Sequence, residues 1–181
     1  MVSDPSDVLR RLVEHSGRYA EQAFLFVREG LSFAAEQTHG PETEAHQRLQ
    51  EYLAAQNMDW HDLLAKYHTS ELPPEVIEAI DMAGGCERLN RHVSGRELCW
   101  GLRDYAVGRW GMLARTVLDS WNITKTSDFG RIVFGFIELD MMQKQEGDCL
   151  ADFEDVYSFD EAFDNTIQIT SQGRRKNGKD T

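Results

Sequence analysis

Three consecutive segments between residues 94 and 138 carry both a helix-start signal and an apolar stripe at helical spacing, and this pattern constrains the fold more than any other. Ser94-Gly95-Arg96-Glu97 has the form of a capping box, in which the serine hydroxyl accepts the third amide and Glu97 returns to the cap amide. Leu98, Leu102, Tyr105 and Ala106 follow on one face, as far as Trp110. Gly111 ends that helix, and Leu113, Val117, Leu118 and Trp121 predict the next. Thr126-Ser127-Asp128 then caps a third, with Phe129, Ile132, Val133, Phe136 and Ile137 at i, i+3, i+4, i+7 and i+8.

The rest of the chain reads in the same way. Val8, Leu9, Leu12 and Val13 form a short first helix after Ser6 as N-cap, ending near Gly17. A longer helix from Tyr19 to His39 carries Ala23, Phe26, Val27, Gly30, Leu31 and Ala34 along one side, and Gly40-Pro41 stops it. Residues 41–92 are an insertion of two or three short helices, broken at Asn57, Leu72-Pro73-Pro74 and Gly84-Gly85. Beyond Lys144, Phe153, Val156, Tyr157 and Phe159 alternate with acidic residues, which leaves room for a short β wing. The expected fold is all-α: a single helical domain over 1–165 whose 94–165 part is winged-helix-like, followed by a basic tail, 166–181, expected to be disordered.

A chain of 181 residues buries enough surface to need no covalent staples, and Cys86, Cys99 and Cys149 are odd in number and widely spaced. Reduced thiols, the lack of an apolar run near Met1 and the lack of a membrane-length apolar stretch give a cytoplasmic expectation, with no membrane partner.

Charge is unevenly placed, which bears on partners. The chain has a net charge of −12; residues 1–93 hold 16 acidic and 8 basic side chains, 94–144 are near neutral, and 145–165 hold 8 acidic and no basic ones. In a winged helix that reads duplex DNA, the third helix presents basic and amide side chains to base edges. Here that helix offers Arg131 beside Asp128 and Glu138. A nucleic-acid-associated regulator, drawing on Arg103, Arg109, Arg115, Lys125 and Arg131 with the basic tail assisting, is therefore the second reading.

No catalytic constellation emerges. The acidic block Asp148, Asp152, Glu154, Asp155, Asp160 and Glu161 lacks the ligand order of a calcium loop, and the six histidines lack zinc spacing. Cys99 lies mid-stripe beside Trp100 and reads as a small buried hydrophobe. No phosphate-cradling, dinucleotide or nucleophile-elbow motif is present. We expect no catalytic residues, no metal and no cofactor, and a metal-dependent enzyme ranks last. The first reading is a non-enzymatic interaction or adaptor protein. Asp152, Phe153, Glu154, Asp155, Tyr157 and Phe159 form its expected docking edge for a basic protein partner, although the aromatic residues suit anchoring onto the helices equally.

Several of these segments carry a family resemblance. Ala23 to Leu31, Arg91 to Leu98, Gly101 to Ala106, Ala114 to Leu118, Thr126 to Phe134, Asp152 to Tyr157 and Phe159 to Phe163 resemble a small uncharacterised bacterial family described as restricted to Verrucomicrobia and Planctomycetes and their relatives. About half the chain is covered. The resemblance implies a fold unit and brings no activity, cofactor or catalytic residue. This chain departs from the family pattern in the insertion 41–90, and in having Asn122 after Trp121 where the family pattern has glycine.

Overall fold

The computed structural model describes residues 5–86, 89, 91–142, 144–145 and 147–164, so the basic tail 166–181 lies outside the described residues. The architecture is all-α. In chain order the elements are α1 (Pro5–Ser16), α2 (Glu21–His39), α3 (Glu44–Gln56), α4 (Trp60–His68), α5 (Pro74–Met82), α6 (Gly95–Trp110), α7 (Ala114–Ser120), α8 (Thr126–Glu138) and α9 (Phe159–Asp164). Short 3-10 turns stand at Gly111–Leu113 and Leu150–Phe153. The chain divides into two compact units, Met1–Ala34 with Val93–Thr181, and Ala35–His92.

Among the described residues there is no strand, and the segment with room for a β wing forms a 3-10 turn and α9 instead. The hydrogen bonding of the segment accounts for this. The Glu154 amide donates to the Ala151 carbonyl at 3.0 Å and the Val156 amide to the Thr126 hydroxyl at 3.3 Å, so backbone donors a ladder would need are taken elsewhere. Asp155 then turns the chain at φ 48°, which extended pairing does not tolerate.

In the first unit the core is built where α2, α6, α7 and α8 meet. Phe24, Phe26 and Val27 of α2, Leu98 and Leu102 of α6, Leu118 of α7 and Phe129, Ile132 and Phe136 of α8 are all buried. Phe26 is the centre of an aromatic cluster, with Tyr105, Trp110, Trp121 and Phe129 at ring-centroid distances of 5.5 to 6.4 Å. Two small residues let α2 and α6 approach: a side chain at Gly30 would collide with Leu102, and one at Gly101 with Ala34.

The capping box at Ser94 forms as the sequence predicts, with the Ser94 amide donating to Glu97 at 2.9 Å and the Glu97 amide to the Ser94 hydroxyl at 3.3 Å. Three helix starts differ. α1 begins at Pro5, so Ser6 falls inside its first turn, and proline at the first helical position is favoured because its missing N–H has no partner to lose. Gly111 adopts φ 55° and opens a 3-10 turn, which delays α7 to Ala114 and leaves Leu113 64% exposed. At α8 the N-cap is Lys125; Thr126 is buried, and its hydroxyl accepts from the Val156 amide at 3.3 Å.

The second unit is a three-helix cluster. α3 starts at Thr43, whose hydroxyl accepts from the His46 amide, and stops at Asn57 in the left-handed conformation. Asp59 caps α4, and Pro73-Pro74 opens α5. Leu49, Leu53, Leu63, Leu72, Val76 and Ile80 fill its core.

One contact ties residues 150–153 to the first unit. The Phe153 ring lies against two glycines: a Cβ on Gly130 would stand 2.7 Å from its Cγ, and one on Gly95 would stand 2.7 Å from its Cε2. Gly130→Ala should therefore destabilise the protein by about 1–3 kcal/mol through overpacking. Gly135→Ala on the same helix, where nothing lies within 4 Å, should stabilise it by up to about 1 kcal/mol. Urea unfolding of the two variants checks the contrast; equal effects would remove Phe153 as the reason for glycine at 130.

Candidate functional site

The most heavily bonded polar group lies at the head of α8. Asp128 is fully buried, and one carboxylate oxygen accepts from the Thr124 amide at 2.9 Å, the Thr124 hydroxyl at 3.2 Å and the Lys125 amide at 3.2 Å. Its other oxygen accepts from the Tyr19 hydroxyl at 2.8 Å and meets Arg131 at 3.0 Å and Arg18 at 3.2 Å. Burial pushes this carboxyl up, but the bonds from Thr124, Tyr19 and Lys125 and the Arg18 charge outweigh it, so Asp128 titrates below the usual carboxylate range. Burial and the adjacent carboxylate push Tyr19 up to about 12. This is a structural hub, with Asp128 ionised between two arginines and Tyr19 protonated near neutral pH.

That hub accounts for one of the five cations of the nucleic-acid reading, since Arg131 is tied to the cap of its own helix. The others have separate partners. Arg109 donates to Glu29 at 2.7 Å, and the bonds from Tyr105 and Arg109 hold Glu29 below its ordinary range despite some burial. Arg115 pairs with Asp119 at 3.1 Å and Asp160 at 2.7 Å, and its guanidinium lies 5.5 Å from the Phe159 ring centroid. Arg103 pairs with Asp104 at 2.6 Å and donates to the Ala162 carbonyl at 3.2 Å. Lys125 is exposed and makes no ion pair among the described residues. At four of these five positions a carboxylate already sits against the guanidinium and offsets the charge a phosphate would meet.

The expected docking edge separates into two chemistries. Phe153 and Phe159 are buried, so these members anchor the segment onto the helices and present no ring to a partner. Tyr157 is half-buried: its hydroxyl donates to the Cys99 carbonyl at 2.7 Å, and burial pushes its pKa well up. Asp152 is exposed but caps its own 3-10 turn, whereas Glu154 and Asp155 are exposed and make no ion pair among the described residues. Trp100, which the sequence marks only as a neighbour of Cys99, packs against Tyr157 with ring planes tilted by 49° and centroids 4.7 Å apart, and is 42% exposed. The signal that could have found it is its register: two residues from both Leu98 and Leu102, it lies off their stripe.

Cys99 is fully buried, and burial alone pushes its thiol up to about 12, which leaves it unreactive as a nucleophile. Among the described residues no group of three or more His, Cys, Asp or Glu side chains is placed to hold a metal ion. No described helix is long and apolar enough to cross a membrane. No protein-family profile, curated protein or solved structure matches the chain.

Asp128→Ala should destabilise the first unit by about 3 kcal/mol, because it strips a partner from several donors at once. The pH dependence has a definite sign. A carboxyl whose folded pKa lies below its unfolded value, about 3.9, contributes stability that is complete above that value and is lost as pH falls through the folded pKa. Thermal unfolding between about pH 6 and 2 should thus show a shallower acid decline for Asp128→Asn than for the wild type. Parallel acid limbs would remove Asp128 as their source.

Proposed function

We propose that the protein is a non-enzymatic interaction or adaptor protein and that its acidic edge receives a basic protein partner. The observation that carries this reading is the combination of a fixed backbone with uncompensated charge: Phe153 and Phe159 anchor the segment, while Glu154 and Asp155 stay exposed without ion pairs among the described residues. Beside them in sequence, Tyr157 carries the half-exposed Trp100, and an aromatic surface rimmed by charge is the composition of an interface core with its polar rim. A preorganised edge of this kind loses little conformational entropy on binding.

In this reading the α6–α7–α8 order is winged-helix-like packing used for protein contact. Its support is the pairing of Arg103, Arg109, Arg115 and Arg131 with carboxylates, which lowers the phosphate affinity that duplex binding depends on. A reducing compartment such as the cytoplasm suits the three free cysteines.

Charge change at the exposed positions tests the proposal without touching the core. In affinity capture from native lysate after nuclease treatment, Glu154→Lys with Asp155→Asn, which keeps a residue that tolerates the left-handed turn, should lose a protein partner that the wild type recovers, with the helical circular dichroism signal unchanged. Identical recovery by both proteins would sink the acidic edge as a docking surface. Phe153→Ala is unsuitable for this purpose, because it removes a buried anchor and should cost about 3–5 kcal/mol of stability.

A further inference from the structure

Within the 35–92 unit, the seam between α3 and α5 opens into a groove of about 340 Å³, at the small end of ligand-binding cavities. Its floor is made by Leu49, Val76 and Ala79, all part of the unit's buried core. Tyr52 is half-buried along it, and Met82 is 54% exposed, an unbranched thioether able to mould to an incoming apolar side chain.

The rim is charged and asymmetric. Glu75 and Glu78 border the groove from α5, both without an ion pair among the described residues. Arg48 borders it from α3, and its guanidinium already has Glu44 at 3.9 Å. Residues 35–92 hold 11 acidic side chains against 4 basic ones. Of the apolar lining of α5, Val76 and Ala79 pack into the unit's own core, and Met82 at the end of the helix is left exposed beside the groove.

We propose that this groove docks a basic amphipathic helix of a partner protein, with apolar side chains of the helix entering between Tyr52 and Met82 above the buried floor, and its lysines or arginines facing Glu75 and Glu78. Charge complementarity selects this occupant. A second copy of the chain would bring the same acidic unit against itself, and like-charge juxtaposition opposes that pairing. The inference shares the view that the protein works by binding proteins, but it uses a surface separate from the Glu154–Asp155 edge.

The test uses the full chain and a fluorescein-labelled peptide of about 14 leucines and lysines, with leucine at helical i, i+3, i+4, i+7 spacing. Anisotropy titration should give single-site binding that weakens with salt, and the leucine–glutamate counterpart should bind at least about tenfold more weakly. Met82→Lys, and separately Glu75→Gln with Glu78→Gln, alter side chains on the groove's rim and should each weaken binding about tenfold with unchanged circular dichroism. Absent binding, or binding indifferent to these variants, overturns the proposal. So does a wild-type dimer in sedimentation that Met82→Lys disperses, which would assign the groove to a second copy. If Glu154→Lys with Asp155→Asn abolishes peptide binding while the groove variants do not, the groove assignment fails and the edge reading stands. Loss confined to the groove variants, with lysate partners unaffected by the edge variant, supports the groove and overturns the edge reading.

Discussion

The Asp128 carboxylate is the interaction on which the first unit's organisation depends. A carboxylate removed from water is tolerated only when its lone pairs are filled, and here the donors come from three places in the chain: Arg18 and Tyr19 before α2, Thr124 and Lys125 ahead of α8, and Arg131 one turn into α8. Satisfying the charge therefore fixes the entry to α8 relative to the start of α2. Two neighbouring contacts act on the same junction. Asn122 takes φ 63° and donates to the Arg18 carbonyl at 2.9 Å, and Tyr19 packs edge-on against Phe24 at 6.4 Å. Asparagine can hold the left-handed turn, and it adds a long-range hydrogen bond that glycine could not make.

With α8 fixed, the Gly95 and Gly130 faces of α6 and α8 form the seat for Phe153. The acidic 150–164 segment would otherwise have little reason to fold, since it is dense in like charge and short of aliphatic residues. Its order comes from large rings placed at intervals: Phe153 on the glycine seat, Tyr157 on the Cys99 carbonyl and Trp100, and Phe159 on Phe129 at 5.7 Å. Arg115 adds one balancing charge, held between Asp119 and Asp160. Glu154 and Asp155, outside these contacts, are left facing solvent on a backbone that cannot easily withdraw them.

Helix positions and most helix faces are legible in the sequence because apolar spacing and capping chemistry are local. The Ser94 box, the 129–132–136 stripe and the breaks at Gly40, Asn57 and Pro73-Pro74 all reappear in the structure. The features that local patterns do not carry are contacts between distant residues. Asp128 reads as a helix-starting acid in any local window, and its partners Arg18 and Tyr19 stand more than a hundred residues away. Gly95 and Gly130 look like helix-weakening residues until Phe153 is set beside them. Alternation in 152–159 suggests a strand because periodicity cannot reveal that the Glu154 amide closes a 3-10 turn on Ala151 and that the Val156 amide goes to the distant Thr126 hydroxyl. The candidate site shares this limit: its residue types are evident, but which of them are engaged inside the fold is not.

The distinction between engaged and unengaged charge bears directly on function. Arginines are the usual means of phosphate recognition, yet here Arg18, Arg103, Arg109, Arg115 and Arg131 each face a carboxylate of the same unit. The pairs of Arg103, Arg109 and Arg115 are partly exposed and, unlike those to buried Asp128, add little to stability, so their main effect is to offset positive potential in the outward field. The same logic holds in the 35–92 unit, where 11 acidic side chains outnumber 4 basic ones and two glutamates without ion pairs among the described residues rim an apolar groove. On the proposed reading, an excess of carboxylates over free cations would favour basic partners, and the apolar contacts beneath would decide which partner stays.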